Sequence, residues 1–417
     1  MSQNVKLIGA SKVFVCNETF EILSNGAIAF ETSQNDQNKI IEVGKYEILK
    51  NKYSNAIFYE NAIILPAFIN AHIHFEFGNN ISSFAYGGFE KWLKSVMEKR
   101  DDVLSDITSS VKSSINEQLQ SGVGSVGAIS SYGEDMPILA NSPLRVIYFN
   151  EAIGSAPTAL DFLYNNFLVR YHASKALKSH KFTPAIALHS PYSVHHILAK
   201  KILEIARKDQ CIVSTHFLES NAEREWLQNS QGWFKKFYQE ILKVNSPKPL
   251  YTIEEFLDLF EGLQTLFTHC LFANQHDLTK IAKNSNVVSC PRSNRLLCGT
   301  YLNLNLLGSV GLKPIFATDG KSSNNNLDLL DELRCALFSY PDIEIEALSK
   351  MLILGASFYP AKALGLNNGI LEAGKWADIS VFECPEISQS TQAPLQFLLH
   401  SKKVKILYIN GNVVTKN

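Results

Sequence analysis

Eight short apolar runs, separated by stretches of helical periodicity, fill residues 62–363, and no other feature restricts the fold of this chain so tightly. The runs lie at 63–74, 124–129, 144–150, 184–189, 211–216, 265–269, 287–290 and 314–319. Amphipathic segments such as 107–120, 199–208, 253–260 and 328–338 fall between them. A strand reaches a parallel neighbour only through a crossover of a dozen or more residues, usually a helix, so the alternation implies a parallel sheet. Eight such units in about 300 residues predict an α/β chain whose sheet closes into a (β/α)8 TIM barrel.

The two ends read differently. Short β-branched and aromatic runs at 5–8, 13–16, 27–30, 40–43 and 56–59 predict strands. So do 379–382, 405–409 and 413–414, the last two joined by Asn410-Gly411, a strong hairpin signal. A composite β-sandwich domain from residues 1–61 and 364–417 is expected beside a barrel of residues 62–363.

Composition narrows the partners. Thirty-nine Lys plus Arg against 40 Asp plus Glu leave a net charge of −1, which offers neither a nucleic-acid backbone nor an anionic membrane a basic surface. The longest apolar runs fall short of the ~20 residues that span a bilayer. The first residues lack the apolar core of a secretory leader. Seven cysteines without a CxxC pair argue against a disulfide framework, and a reducing cytoplasm is the expected setting.

Histidines stand at the ends of the predicted strands: His72 and His74 on the first, His189 on the fourth, His216 on the fifth and His269 on the sixth, with Asp319 closing the eighth. The C-terminal strand ends of a barrel form one face, so these distant residues should converge. Strand residues two apart share a side, so His72 and His74 should both face the lumen while Ile73 faces the helices. Alone, His72-Ile73-His74 could be two ordinary histidines. Together with His216 and Asp319 it suggests three nitrogens and one carboxylate around a divalent metal, with a position left for water. Glu219, three residues beyond His216, could begin a surface helix or move protons to and from that water. His269 suits a fifth ligand, a group orienting the water, or a buried structural histidine, and the second role is preferred. His189 is read as a substrate contact. His172, His180, His195, His196, His276 and His400 are read as ordinary. The HExxH signature is absent, as is the H-x-E…P-C-x-x-C signature of the other zinc deaminases.

These stretches, LPAFINAHIH (65–74), HSPY (189–192), HFLE (216–219), TH (268–269) and ATDG (317–320), resemble the amidohydrolase superfamily in its mononuclear deaminase branch. SCPRSN (289–294) and GILEAGKWADI (369–379) extend the resemblance over nearly the whole chain, with Ala67 where the family usually has glycine. The resemblance implies one Zn2+ or Fe2+ held by His72, His74, His216 and Asp319. Glu219 would carry a proton from water to a ring nitrogen. His269 would orient the attacking oxygen, and Asp319 would pass the second proton to departing ammonia. The fourth strand ends in histidine and contains no lysine, which favours one metal over two.

Stretches 87–96, 217–226 and 322–326 resemble, within that branch, the deaminases of 6-amino-6-deoxyfutalosine, which serve menaquinone biosynthesis. That resemblance implies a small purine nucleoside with a ketone-linked benzoate in place of the 5′-hydroxyl, and a homodimer as a family-level expectation. Glu90 is the candidate for the ribose hydroxyls and Arg292 for the benzoate. Phe84, Tyr86, Phe89 and Trp92 are candidates for an aromatic wall, although Trp92 could equally anchor a helix. Residues 232–249 are a candidate lid or pocket wall. Deamination of S-adenosylhomocysteine, methylthioadenosine, adenosine or guanine is the alternative, and hydrolysis of an amide or cyclic amide a more remote one.

Overall fold

A computed structural model describes residues 5–33 and 37–417. Two sheets organise it. Strands β1 (Val5–Phe14), β2 (Ile22–Glu31), β3 (Ile40–Lys45) and β4 (Ala56–Pro66) come from the first part of the chain. Eight strands follow: β5 (Phe68–Ile73), β6 (Val123–Ser130), β7 (Arg145–Ala152), β8 (Phe182–Leu188), β9 (Val213–Phe217), β10 (Thr265–His269), β11 (Asn286–Ser289) and β12 (Pro314–Phe316). The last three are β13 (Ile379–Glu383), β14 (Val404–Ile409) and β15 (Asn412–Lys416).

Strands β5 to β12 pair in sequential order, all parallel. Helices occupy the connections, among them Ile107–Gln120, Leu160–Ala176 and His196–Asp209, and Leu329–Ser339 follows the last strand. The ends of the sheet meet where the Asp319 N–H donates to the His72 carbonyl at 3.1 Å and Asn70 Nδ2 donates to the Thr318 hydroxyl at 2.8 Å. This is the predicted eight-stranded barrel. Ile69, Ala71, Phe149, Ala187, Leu266 and Ile315 belong to one fully buried apolar cluster drawn from strands all round the ring, which fills the lumen below the site.

The other sheet has the order β15-β14-β13-β4-β1-β2-β3, so both parts of the chain build it and β13 lies antiparallel to β4. Asn410 and Gly411 take φ of 56° and 72° in the predicted β14–β15 turn, which is why Asn-Gly suits it. Arg145 at the start of β7 ties the sheet to the barrel: its Nε donates to Asp378 Oδ2 at 2.6 Å and its Nη2 to Oδ1 at 3.1 Å, both side chains buried.

Two sequence expectations resolve differently. The apolar run 63–74 is split at Ala67, its first part continuing β4 and its second forming β5. The predicted strands 5–8 and 13–16 merge into β1, whose polar Ser11-Lys12 break is absorbed as an irregularity against β4.

Candidate active site

The strand-end ionisable groups converge. One ligand atom from each of His72, His74, His216 and Asp319 lies within 4.8 Å of the others. His74 Nε2 is 3.4 Å from His216 Nε2, and Asp319 Oδ1 is 3.6 Å from His74 Nε2 and 3.8 Å from His72 Nε2. The register between β5 and β6 shifts between Asn70 and Ile73, so Ala71 joins the lumen cluster and the next residue, His72, still turns into the site. Gly127 on β6 makes room for this, since a Cβ there would stand 2.3 Å from the Ala71 carbonyl oxygen.

The second ring nitrogens of His216 and His72 are held. His216 Nδ1 donates to the His189 carbonyl at 2.9 Å, and His72 Nδ1 pairs with the Thr268 hydroxyl at 3.2 Å. Such partners fix the ring orientation and direct Nε2 inwards. His72 Nε2 is buried without a hydrogen-bond partner, a costly state for a polar atom unless something else meets it. Burial, reinforced by neighbouring imidazoles, pushes His72 and His216 well below the ordinary histidine range, which leaves their lone pairs free. Burial works against ionisation of Asp319, yet the histidines around it hold its carboxyl below the usual range. Ser293 and Ser323 donate to its Oδ2 at 2.8 and 2.7 Å, and the Gly320 N–H donates to Oδ1. Neutral nitrogens, an ionised oxygen and one orphaned buried Nε2 fit a divalent cation.

Glu219 lies beside this cluster, its Oε1 3.6 Å from His269 Nε2. Burial first, then the Asp319 charge, push its carboxyl well above the usual range. Its placement depends on Glu223. That buried carboxyl accepts from the Leu218 and Glu219 N–H groups at 2.8 and 3.0 Å and stabilises the turn in which Leu218 takes a φ of 47°. His269 and Asp319 also adopt left-handed backbone, with φ of 74° and 58°. With Cys270 at 52°, four non-glycine residues at strand ends of one face adopt this conformation and mark where the chain is bent to aim side chains. His269 Nδ1 donates to Asn294 Oδ1 at 2.8 Å, which leaves Nε2 as the acceptor facing Glu219.

A cavity of about 400 Å3 opens above the cluster. His189 lines it with Nδ1 bound to the Ser190 and Ser193 hydroxyls. Phe237 and Leu242 bring residues 232–249 to its wall. Trp92 lines it too and also anchors its helix, donating from Nε1 to the Ser322 carbonyl at 2.8 Å. Phe84, Tyr86 and Phe89 do not reach this wall; Phe89 packs instead on Trp92, Tyr192 and Phe234.

Two expected substrate contacts are not brought to the cavity. Glu90, in the first turn of the helix Phe89–Val103, faces an adjoining cleft with Ser220, Asn221 and Cys298. Arg292 is consumed by structure. Its Nε meets the fully buried Glu332 at 2.6 Å, and its remaining donors meet Asn325, the Asn326 side chain and carbonyl, and the Asp328 carbonyl. A guanidinium with every edge engaged has nothing left for a benzoate. His195 caps the helix His196–Asp209, its Nδ1 accepting from the Ile197 N–H. Sequence reasoning missed Thr268, Asn294, Ser293, Ser323 and Glu223, whose roles arise only from the folded juxtaposition. It also missed Glu151, a cavity residue whose buried Oε1 has no hydrogen-bond partner.

The Amidohydrolase family profile matches residues 63–414. The chain belongs to this family. It is 44% identical over 415 residues to a Helicobacter pylori protein named adenosine deaminase, covering 98% of this chain and 99% of that one. It is 41% identical over 395 residues to the aminodeoxyfutalosine deaminase of Nitratiruptor, covering 94% and 95%. The crystal structure of Helicobacter pylori aminofutalosine deaminase in complex with methylthio-coformycin superposes with a TM-score of 0.92 at 42% identity, covering 98% of this chain and all of that one. Members of the family hold a divalent metal, and the His/Asp cluster supplies a site for one.

Proposed function

We propose that this enzyme hydrolytically deaminates an adenine nucleoside, converting 6-amino-6-deoxyfutalosine to futalosine and ammonia, a reaction of menaquinone biosynthesis. The observation that carries the reading is the pairing of a three-histidine, one-aspartate cluster with a buried glutamate beside it, Glu219, whose Oε1 lies 3.6 Å from His269 Nε2. The relatives named for aminodeoxyfutalosine and aminofutalosine support the substrate, at 41% and 42% identity over nearly the full chain.

His72, His74, His216 and Asp319 would hold the ion, and their N3O set suits Zn2+ or Fe2+. Bound there, a divalent ion supplies Lewis acidity that lowers the pKa of water towards about 7. Glu219 takes a proton from the attacking water and delivers it to the ring nitrogen beside the amino-bearing carbon, which makes that carbon electrophilic. His269, its tautomer set by Asn294, presents Nε2 to the same region and orients the attacking oxygen. Asp319, gripped by Ser293 and Ser323, accepts the second proton and passes it to the leaving amine. His189 and Glu151, whose Oε1 lies 3.9 Å from His216 Nδ1 and accepts no hydrogen bond, offer polar contacts for the nucleoside.

The test is ammonia release by the metal-loaded enzyme across 6-amino-6-deoxyfutalosine, adenosine, methylthioadenosine, S-adenosylhomocysteine and guanine. The highest kcat/KM is expected for the first. Fast turnover of adenosine with none of aminodeoxyfutalosine would replace the narrow reading with that suggested by the Helicobacter pylori protein named adenosine deaminase.

A further inference from the structure

The helix Phe89–Val103 turns one face to the cavity: Trp92, Leu93, Val96, Met97 and Arg100. Their spacing of one, four, five and eight residues from Trp92 defines a single stripe. The stripe starts beside the catalytic cluster, because Trp92 is bonded to the Ser322 carbonyl, three residues beyond Asp319. It is apolar until its last member. Arg100 is the one lysine or arginine among the residues lining this cavity, whereas Glu151, Glu219 and Asp319 line it as acids. Arg100 differs from the other arginines described above. The guanidiniums of Arg145 and Arg292 are engaged by buried carboxylates, but among the described residues the one ion-pair partner of Arg100 is Asp101, at 3.6 Å and itself 95% exposed.

We propose that Arg100 anchors a carboxylate at the far end of the substrate's 5′ arm, and so selects adenine nucleosides with an apolar spacer ending in an acid. Resting on the deaminase reading, this assigns the anion-binding role that Arg292 cannot fill. The eight residues from Trp92 to Arg100 span about 12 Å of helix, a length that adenosine with a bare 5′-hydroxyl has no use for. The planar fork of arginine matches a carboxylate with two parallel hydrogen bonds. Leu93, Val96 and Met97 give the spacer an apolar bed with no side-chain acceptor for an ammonium. An aryl carboxylate therefore fits better than the amino-acid end of S-adenosylhomocysteine.

Binding of deaminated products tests this without turnover. Futalosine, S-inosylhomocysteine and 5′-methylthioinosine would be titrated calorimetrically into the metal-loaded wild type and into Arg100→Met. The substitution should weaken futalosine binding ~10- to 100-fold, the range of a charge-assisted hydrogen-bonded pair partly open to solvent. It should change methylthioinosine binding by less than twofold, and Arg100→Lys should fall between wild type and Arg100→Met for futalosine. Unchanged futalosine affinity, an equal loss for both ligands, or a greater loss for S-inosylhomocysteine than for futalosine would overturn the proposal. If the wild type releases no ammonia from any amino nucleoside, the deaminase reading fails on its own, while the product titrations still judge Arg100.

Discussion

Replacing Arg292 by methionine separates a structural clamp from a substrate contact. In the wild type, Glu332 is fully buried and receives the Arg292 Nε at 2.6 Å, the Arg292 backbone N–H at 2.7 Å and Asn324 Nδ2 at 3.0 Å. The substitution leaves the last two donors but removes the compensating charge. Breaking a buried pair from one side costs about 3–5 kcal/mol, and the two surviving hydrogen bonds place this case near 3 kcal/mol. At a urea slope of about 3 kcal/mol per M, the unfolding midpoint should fall by about 1 M. The loss should depend on pH. Burial pushes Glu332 above the ordinary carboxylate range even with Arg292 opposing it, and loss of the guanidinium raises it further. A carboxyl with a raised folded pKa holds more protons folded than unfolded, so stability falls as pH rises from the unfolded value through the folded one. Urea unfolding of the metal-loaded variant should therefore show a smaller deficit near pH 5 than near pH 8. Arg292→Met combined with Glu332→Gln should be less destabilised than the sum of the single changes. An unchanged midpoint, with a raised KM for the carboxylate-bearing nucleoside, would refute the clamp and return Arg292 to the substrate.

Glu219→Gln keeps the shape but can neither take nor pass on a proton, so kcat should fall by about 10²–10⁴ with metal content by mass spectrometry unchanged; retained turnover would instead favour amide hydrolysis on this site. Ser293→Ala with Ser323→Ala strips the hydroxyl donors from Asp319 Oδ2 and should weaken metal binding by about 10- to 100-fold in competition with a chromogenic chelator. Gly127→Ala drives a Cβ into the Ala71 carbonyl, a backbone atom that cannot step aside without moving His72; reduced metal occupancy in the purified protein is the expected signature. Exhaustive chelation should abolish ammonia release and lower the melting temperature, and both should return on adding Zn2+ or Fe2+.

Residues whose chemistry recurs at strand ends were legible in the sequence. His72, His74, His216 and Asp319 stand out because core packing does not call for ionisable groups at one end of strand after strand. The break inside residues 63–74 was not legible, since an unbroken apolar run looks the same whether it serves one sheet or two. Arg292 misled for a related reason: a cation on the right face of a barrel is visible in the sequence, but the buried Glu332 that absorbs it lies 40 residues away. Arg100 went unnoticed because an arginine in the last turn of a helix is ordinary until the helix is seen edge-on to a cavity. The serines on Asp319 carry no periodic or compositional signal at all.

The pairing of β4 with β13 also has a consequence for how the chain is made. Ile63, Ile64 and Leu65 on β4 are fully buried, and on one side their partner is β13, roughly 300 residues later. At about 5–20 residues per second, a ribosome needs ~15–60 s to bridge that gap. Throughout that interval β4 offers an unpaired apolar edge to any neighbouring nascent chain, the form of strand most prone to aberrant pairing. Yield in a heterologous host should therefore respond to elongation rate and chaperone supply over this window, and a chain cut short before residue 379 should be recovered mainly as insoluble protein.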